Sequence, residues 1–500
     1  MLLIHPPVAK PSEPPAGIAR LAGALRAHGI PCRLLDANLE GLLWLLGEPP
    51  AAADTWTLRA AKHRAAHLAA LRDSATYRSP DRYRRAVSDL NRLLAVASRP
   101  SGATVGLADY GHRRLSPLRS ADLLAAAAHP ETNPFHPWFA QRLPQLLDGI
   151  RTVGLSLTYL SQALTTFAMI GFLRRRHPGL TIVLGGGLVT SWLARPGWHN
   201  PFAGLVDQLV AGPGELPLLA LSGSPAVPGH VTPAYDDLPL ADYLAPGPVL
   251  PYSAAGGCWW NGCSFCPERA EGNRYRPVPV SRAMTDLHEL TARYRPHLLH
   301  LLDNAVSPAL LRAVIADPPG VPWYGFARVD AQLADPDFCR ALKEAGCVML
   351  KLGLESGDQR VLERLNKGID LDMVATALRN LHKAGIAVYG YLLFGTPAET
   401  AAAARRTLAF VLRHQEALTF LNLAIFNMPA FGAEASVYET APFYAGDLSL
   451  YTGFRHPGGW DRSLVRRFLE QEFKREPAVA AILRRDPPLF TSNHAPFFAP

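Results

Sequence analysis

The sequence predicts an α/β chain built from two successive parallel-sheet modules, and three observations carry that expectation. Apolar runs of strand length alternate with amphipathic stretches of helix length over residues 1–221 and again over 251–428. Between them, 222–250 is rich in Pro, Gly and Ala and reads as a linker. Glycine-bearing turns and polar residues follow many of the predicted strands, and in open parallel sheets the carboxyl ends of strands are where ligands bind.

In the first module, Leu2–Ile4 reads as a strand, Ile18–Ala27 as an amphipathic helix closed by Gly29, and Cys32–Leu35 as a second strand. Residues 43–147 are Ala-, Leu- and Arg-rich and read as a long helical insertion, with one strand near Thr104–Leu107. The alternation returns with a strand at Val153–Thr158 and a helix at Ala163–Arg176. A strand at Thr181–Leu184 then runs into Gly185-Gly186-Gly187, and one at Leu205–Ala211 into Gly212-Pro213-Gly214-Glu215. Glycine at such turns lets backbone approach a ligand closely.

The second module offers strands at Pro251–Ala254, Leu298–Leu302, Trp323–Ala327, Val348–Gly353, Val388–Phe394 and Phe420–Phe426. Helices between them include Ser281–Tyr294, Pro336–Ala345, Asp358–Leu365 and Leu371–Ala384. Six such units predict a partial parallel barrel with its site at the strands' carboxyl ends. Residues 429–500 read as an irregular, aromatic, Pro-rich extension, and no internal repeat is seen.

Of 500 residues, 48% are hydrophobic and 18% charged, the balance of a soluble globular chain of more than one domain. Six unevenly spaced cysteines do not read as a disulfide framework and fit a reducing, cytoplasmic setting. The start, MLLIHPPVAK, lacks the pattern of a secretory leader, and charged residues, Pro or Gly interrupt every apolar stretch below membrane-spanning length. The net charge of +8 raises the question of nucleic acid, but the Arg residues are dispersed rather than striped, which favours a basic enzyme.

Three of the six cysteines, Cys258, Cys263 and Cys266, stand together in GGCWWNGCSFCPE, directly after the first strand of the second module. Three thiolates can hold a [4Fe–4S] cluster by three of its irons, leaving the fourth iron open to a ligand. Zinc is the rival metal; it needs a fourth Cys or His, and the next histidines in the sequence are His288 and His297. Cys32, Cys339 and Cys347 stand singly and read as ordinary packed residues.

The cysteine loop resembles that of the radical S-adenosylmethionine (radical SAM) superfamily, whose usual pattern is CxxxCxxC with an aromatic residue before the last cysteine. Phe265 matches that aromatic, and the first gap carries one extra residue, Cys258-x4-Cys263. Later strand ends extend the resemblance. They are Leu301-Leu302-Asp303-Asn304, Arg328 in GFARVD, Gly353-Leu354-Glu355-Ser356-Gly357, and the FGTPxET-like segment from Tyr391 to Thr400 that contains Gly395. The resemblance implies that Asp303 and Asn304 meet the methionine part of S-adenosylmethionine and that Arg328 pairs with its carboxylate. It places Glu355 and Ser356 at the ribose or substrate, and Phe265 and Gly395 near the adenine. It further implies a cluster-driven cleavage to methionine and a 5′-deoxyadenosyl radical, which removes hydrogen from a small-molecule or peptide substrate. The electron would come from a donor such as flavodoxin or ferredoxin.

The first module resembles the Rossmann-like cobalamin-binding domain of one branch of that superfamily. The matching pieces are LLIHPP, Gly154–Gln162, Val183–Gly187 and Val210–Glu215. The resemblance implies a corrin crevice lined by Ser156, Thr158, Ser161 and Gln162, with the turns Gly185, Gly186, Gly187, Gly212, Gly214 and Glu215 around it. The DxHxxG signature is absent and His5 is followed by two prolines, so cobalt would take no histidine from that motif. The alternative is a domain that keeps the fold and binds no corrin, its glycines serving only tight connections. With cobalamin, the implied reaction is C-methylation of an unactivated carbon; without it, another radical rearrangement or bond formation. A zinc- or cluster-stabilised nucleic-acid-binding protein is the non-enzyme alternative. Finally, the tail from Pro487 to Phe498, with Asn493 and His494, reads either as a cover over the open barrel face or as a hydrophobic clasp holding a bonded histidine.

Overall fold

A computed structural model describes residues 1–49, 54–224, 229–487 and 494–499. The chain forms two compact units. One takes Met1–Val249 and Tyr444–Leu450, and the other takes Leu250–Phe443, Tyr451–Asp486 and His494–Pro500.

The first unit opens with β1 (Leu2–His5), α1 (Ala16–Ala27), β2 (Arg33–Asp36) and α2 (Ala37–Gly47). Every residue of β1 is buried, as a central strand covered on both faces requires. The Asp36 side chain caps α2 by accepting the Leu39 N–H at 2.9 Å, and takes the Tyr243 hydroxyl at 2.6 Å. The insertion is helical, with α3 (Thr55–Leu71), α4 (Pro80–Ser98), α5 (Ser120–Ala128) and α6 (His136–Leu146). The single strand expected near Thr104–Leu107 is instead a hairpin, β3 (Ala103–Val105) with β4 (Tyr110–His112).

The alternation then resumes with β5 (Thr152–Ser156), α7 (Leu160–Arg176), β6 (Thr181–Gly185), α8 (Gly187–Leu193), β7 (Gln208–Leu209) and α9 (Glu215–Leu221). The sheet runs β2-β1-β5-β6-β7, all parallel. β7 is only two residues long, not the run expected over 205–211, although backbone bonds from Asp207 N–H to Ile182 O at 3.0 Å and from Val210 N–H to Leu184 O at 2.9 Å flank it. Asp207 accepts the Ile182 N–H at 2.6 Å and Arg174 donates to the Leu205 carbonyl at 2.7 Å. Residues 229–249, expected as linker, pack along α1. Ala234 N–H reaches Ala19 O at 2.9 Å, and Tyr235, Leu238 and Tyr243 are buried.

The second unit holds β8 (Val249–Tyr252), β9 (Ala255–Gly256), α10 (Pro267–Ala270), β10 (Arg276–Pro277), α11 (Val280–Tyr294), β11 (Leu298–Leu301), α12 (Pro308–Ala316), β12 (Trp323–Ala327) and α13 (Pro336–Glu344). It continues with β13 (Cys347–Glu355), α14 (Gln359–Arg364), α15 (Leu371–Lys383), β14 (Ala387–Phe394), α16 (Ala401–Arg413) and β15 (Phe420–Ile425). The six long strands stand in chain order, β8-β11-β12-β13-β14-β15, forming the open partial barrel that the βα rhythm predicts.

Residues 429–487, expected to be irregular, form regular elements. β16 (Met428–Pro429), β17 (Thr440–Pro442) and β18 (Tyr451–Phe454) form an antiparallel sheet, followed by α17 (Arg462–Gln471) and α18 (Pro477–Arg485). Val465, Phe468, Leu469, Val479 and Ile482 bury one face of these helices, a pattern that the surrounding Arg and Pro mask in the sequence. The described tail residues 494–499 do not pack at the strands' carboxyl ends. His494 packs 4.5 Å from Tyr389 and 4.7 Å from Phe420, residues at the beginnings of β14 and β15. That is the clasp, at the opposite end of the barrel from the cysteine loop; Asn493 lies outside the described residues. Cys339 and Cys347 are buried and Cys32 half-buried. Among the described residues no helix is long and apolar enough to cross a membrane.

Candidate functional site

The cysteine loop leaves β8 at its carboxyl end and returns through α10. Cys258, Cys263 and Cys266 are half-buried thiols with no disulfide. Cys266 stands at the N-cap position of α10, near the Glu268 and Arg269 N–H groups. Burial pushes the Cys266 thiol up, and those N–H groups act against it. Burial also raises Cys263, opposed by the cations Lys367 and Arg328. Backbone donors and cations around sulfur are what a cluster's thiolates require. Among the described residues no three His, Cys, Asp or Glu side chains gather on one point as ligands of a single metal ion. A cubane is held at three separate irons, so its thiolates stand apart, and this donor set suits it.

The two tryptophans of the long first gap fold back over the loop. Trp260 stacks on the Arg328 guanidinium at 3.9 Å and donates its indole N–H to Asn366 O at 3.2 Å. Asn366 returns a bond to Gly262 O at 2.8 Å. Gly368, at φ +63, makes room for the indole, because a Cβ there would run into the ring. Arg328 also donates to Lys367 O and lies against the Cys263 thiol. The guanidinium expected to pair with a cofactor carboxylate is thus engaged by the loop. Phe265 packs against Val361, Leu365 and Ala403, with Lys367 Nζ 5.8 Å from its ring centre.

Further strand ends complete the rim. Asp303 is buried and accepts the Ala254 N–H at 3.1 Å, tying β11 to the root of the cysteine loop. Burial lifts its carboxyl to about 6 against the pull of that backbone bond. It lines a cavity of about 450 Å³ with Trp259, Tyr275 and Ser307. Neighbouring Asn304 is exposed and does not line that cavity. Glu355, at φ +61 on a bulge of β13, pairs with Lys367 at 2.8 Å. Ser356 is buried in a turn, its hydroxyl 3.2 Å from Thr407 Oγ1 and accepting the Asp358 N–H at 3.1 Å. Gly395, at φ +76, donates to buried Glu399 at 2.5 Å. Burial raises the Glu399 carboxyl to about 7. Trp260, Lys367 and Asn366 carry much of this geometry. Trp260 stands in the cysteine loop that the sequence singles out, whereas Lys367 and Asn366 were not picked out, their only signal being the polar-glycine turn Asn366-Lys367-Gly368 after α14.

In the first unit, Ser156, Gly185, Gly186, Gly212, Gly214 and Glu215 line one apolar crevice of about 270 Å³ at the strand ends. The wall opposite is α1, through Gly17, Ile18 and Leu21, which sequence reasoning missed. Arg20 of α1 and Glu215 of α9 form an ion pair at its edge. Gly186, at φ +108, is obligatory, since a Cβ would collide with the Leu157 carbonyl. The other expected residues are brought to a neighbouring turn instead. Ser161 donates to Val8 O and Gln162 to Pro6 O, both at 2.8 Å, and Gln162 Oε1 takes the Thr158 N–H at 2.9 Å. Gly187 starts α8 beside Thr158 and does not line the crevice. His5 is buried beside Gln162 and Asp36, off the crevice, and burial lowers its pKa.

Residues 323–411 match the Radical SAM superfamily. An uncharacterized methyltransferase of Pyrococcus horikoshii is 29% identical over 186 residues, 36% of this chain and 40% of that protein. The bacteriochlorophyllide d C-12(1)-methyltransferase of Chlorobaculum tepidum is 25% identical over 33% of this chain and 38% of its own length. The chain therefore spans about two fifths of the curated relatives it matches. Among solved structures, the radical S-adenosylmethionine methyltransferase TsrM from Kitasatospora setae, with cobalamin and a [4Fe–4S] cluster bound, superposes with a TM-score of 0.53. It covers 88% of this chain and 79% of its own, at 16% identity. Residues 323–411 thus carry the match to the Radical SAM superfamily, and the chain shares its fold with that solved structure.

Proposed function

We propose that the chain is a cobalamin-dependent radical SAM methyltransferase acting on an unactivated carbon of a small molecule or peptide. The observation that carries the reading is the placement of three free thiols, flanked by Lys367, Arg328 and two helix N–H groups, at the carboxyl end of the first barrel strand. Its fold relative binds both implied groups, and two sequence relatives are named methyltransferases.

Cys258, Cys263 and Cys266 would hold the cluster, and the apolar slot between α1 and the sheet fits a flat heteroaromatic group such as cobalamin's nucleotide tail. When bound, the cluster supplies the electron that splits S-adenosylmethionine, and the corrin carries the methyl group. The protein's share is placement. Phe265 offers an apolar wall, Gly395 an open backbone approach, and Asp303 fixes the loop root beside the first thiol. Trp260 stacks on the Arg328 guanidinium at 3.9 Å, and Trp259 lies 6.0 Å from it, holding the loop against the end of β12. Among the described residues no histidine lines the crevice, so its apolar wall and glycine turns would hold that tail.

Anaerobic reconstitution of the full chain with iron, sulfide and cobalamin, followed by a strong chemical reductant and S-adenosylmethionine, tests the reading. The expected products are 5′-deoxyadenosine and, with a methyl acceptor, S-adenosylhomocysteine. A colourless chain holding one zinc and leaving S-adenosylmethionine intact would overturn it. Failure to retain corrin would remove methylation and leave radical chemistry of another kind. The electron donor is a small redox protein of the flavodoxin or ferredoxin kind, and the site of action is the cytoplasm.

A further inference from the structure

Both ends of the cysteine loop carry exposed arginines. Arg276 stands on β10, which pairs with β9 through Gly256. The Arg274 carbonyl crowds Gly257, where a Cβ would come within 2.6 Å of it. Arg274 and Arg276 therefore ride on backbone packed directly against the residues that lead into Cys258. At the other end, Arg269 of α10 donates to Gly262 O at 2.8 Å, one residue before Cys263. All three arginines are exposed, and among the described residues none of them makes an ion pair. Glu268 and Glu271, the acids of the same stretch, are less exposed, so the outer layer of charge is positive.

The segment after β16 adds an apolar part to this face. A Cβ on Gly432 would stand 3.3 Å from the Ala270 Cβ of α10. Near it in the chain, Phe431 is 42% and Val437 74% exposed. An apolar patch flanked by arginines has the make-up of a protein-binding surface, whereas a nucleic-acid track needs a longer basic stripe.

We propose that this face is the docking surface for the electron donor, a small acidic protein carrying a one-electron centre. The proposal rests on the cluster reading above and adds where the donor binds. Complementary charge speeds encounter and fixes orientation, and the three arginines flank the loop whose thiols would hold the electron's acceptor. Phe431 and Val437 supply apolar area that leaves water on docking. One electron passes in each encounter, oxidising the donor's centre by one and reducing the acceptor by one, with no further co-reactant.

The test uses flavodoxin as the acidic probe and the reconstituted full chain, with iron and sulfide counted for each protein. Calorimetric titration with oxidised flavodoxin reads binding apart from turnover, and stopped-flow mixing with reduced flavodoxin reads electron transfer. For the natural chain, affinity and association rate are both expected to fall as salt is raised. The double variant Arg274→Glu/Arg276→Glu is expected to lose about tenfold or more in affinity at low salt. Its reduction by the methyl viologen radical, a small molecule that needs no docking surface, should keep the natural rate. Val437→Ser should weaken flavodoxin binding at every salt concentration. Unchanged flavodoxin affinity in the double variant overturns the proposal. If that variant takes up no iron, a natural-chain affinity indifferent to salt overturns it. Arginines that hold a fluorescent RNA duplex and not flavodoxin overturn it as well. A natural chain that binds flavodoxin but takes up no iron and sulfide would instead defeat the cluster reading itself, which is a separable outcome.

Discussion

Replacing Glu399 by Gln should stabilise the protein at neutral pH and leave it unchanged in acid. Glu399 is buried, and its Oε2 accepts the Gly395 N–H at 2.5 Å and the Trp460 indole N–H at 2.9 Å. Its Oε1 is buried with no partner. Desolvation outweighs those two bonds and raises the carboxyl from 4.5 to about 7. The folded chain therefore holds this proton over a range in which the unfolded chain has released it. Between pH 4.5 and 7 the folded state binds more protons, so its stability falls as pH rises through that window and is flat on either side. A shift of about 2.5 units at 1.36 kcal/mol each comes to about 3 kcal/mol for the full window. Gln presents the same acceptor to Gly395 and Trp460 and never ionises. Variant and natural chain should melt together near pH 4.5 and diverge progressively to pH 7.5. At about 2–4 °C per kcal/mol for a unit of this size, the final difference is roughly 6–12 °C in favour of Gln. Thermal unfolding followed by tryptophan fluorescence at half-unit pH steps reads it directly. Curves that stay parallel from pH 4.5 to 7.5 would refute the assignment of a protonated, desolvated carboxyl at this position.

Other outcomes follow from the same geometry. Cys263→Ala should bind markedly less iron after reconstitution and form no 5′-deoxyadenosine, as measured by metal analysis and chromatography; full product formation would break the ligand assignment. Gly186→Ala forces a Cβ into the Leu157 carbonyl at φ +108 and should cost about 3 kcal/mol or more, measured by chemical denaturation. Gly17→Phe should fill the slot between α1 and the sheet and weaken cobalamin uptake at least tenfold without lowering the melting temperature of the corrin-free chain, because a Cβ there meets only Ser156 Oγ at 3.6 Å. His494→Ala removes ring contacts to Tyr389 and Phe420 and should cost about 1–3 kcal/mol, read as a lowered midpoint of unfolding.

The βα rhythm of the barrel was legible because its strands are short apolar runs in a chain punctuated by Gly and Pro, and Trp323–Ala327 reproduces its expected bounds residue for residue. β7 was overestimated because Leu205–Ala211 looks like a strand by composition, while at its start the Asp207 carboxylate takes the Ile182 N–H and Arg174 the Leu205 carbonyl. Local pattern cannot report a side chain that arrives from another helix. The same limit explains Gln162 and Ser161. Both are polar residues at a strand-to-helix turn, the setting of a ligand contact, and both are spent on the carbonyls of Pro6 and Val8, which are distant in sequence and adjacent only in the fold.

The cysteine loop shows what a motif does and does not carry. The three thiols were legible from spacing, because few folds put such a triplet at a strand end for any purpose other than metal. The environment of those thiols was not. Lys367 and Asn366 lie about a hundred residues downstream in an unremarkable turn, and Arg328 was expected to face a cofactor rather than Cys263. What joins them is Trp260, whose ring needs the space that Gly368 leaves and whose N–H needs the Asn366 carbonyl. A side chain at position 368 would therefore displace the ring, and at φ +63 it would also strain the backbone. Gly368→Ala should then cost about 1–3 kcal/mol, read as a lowered midpoint of chemical denaturation with all three cysteines intact. A midpoint equal to that of the natural chain would show that the indole has another place to sit and that the turn does not depend on it.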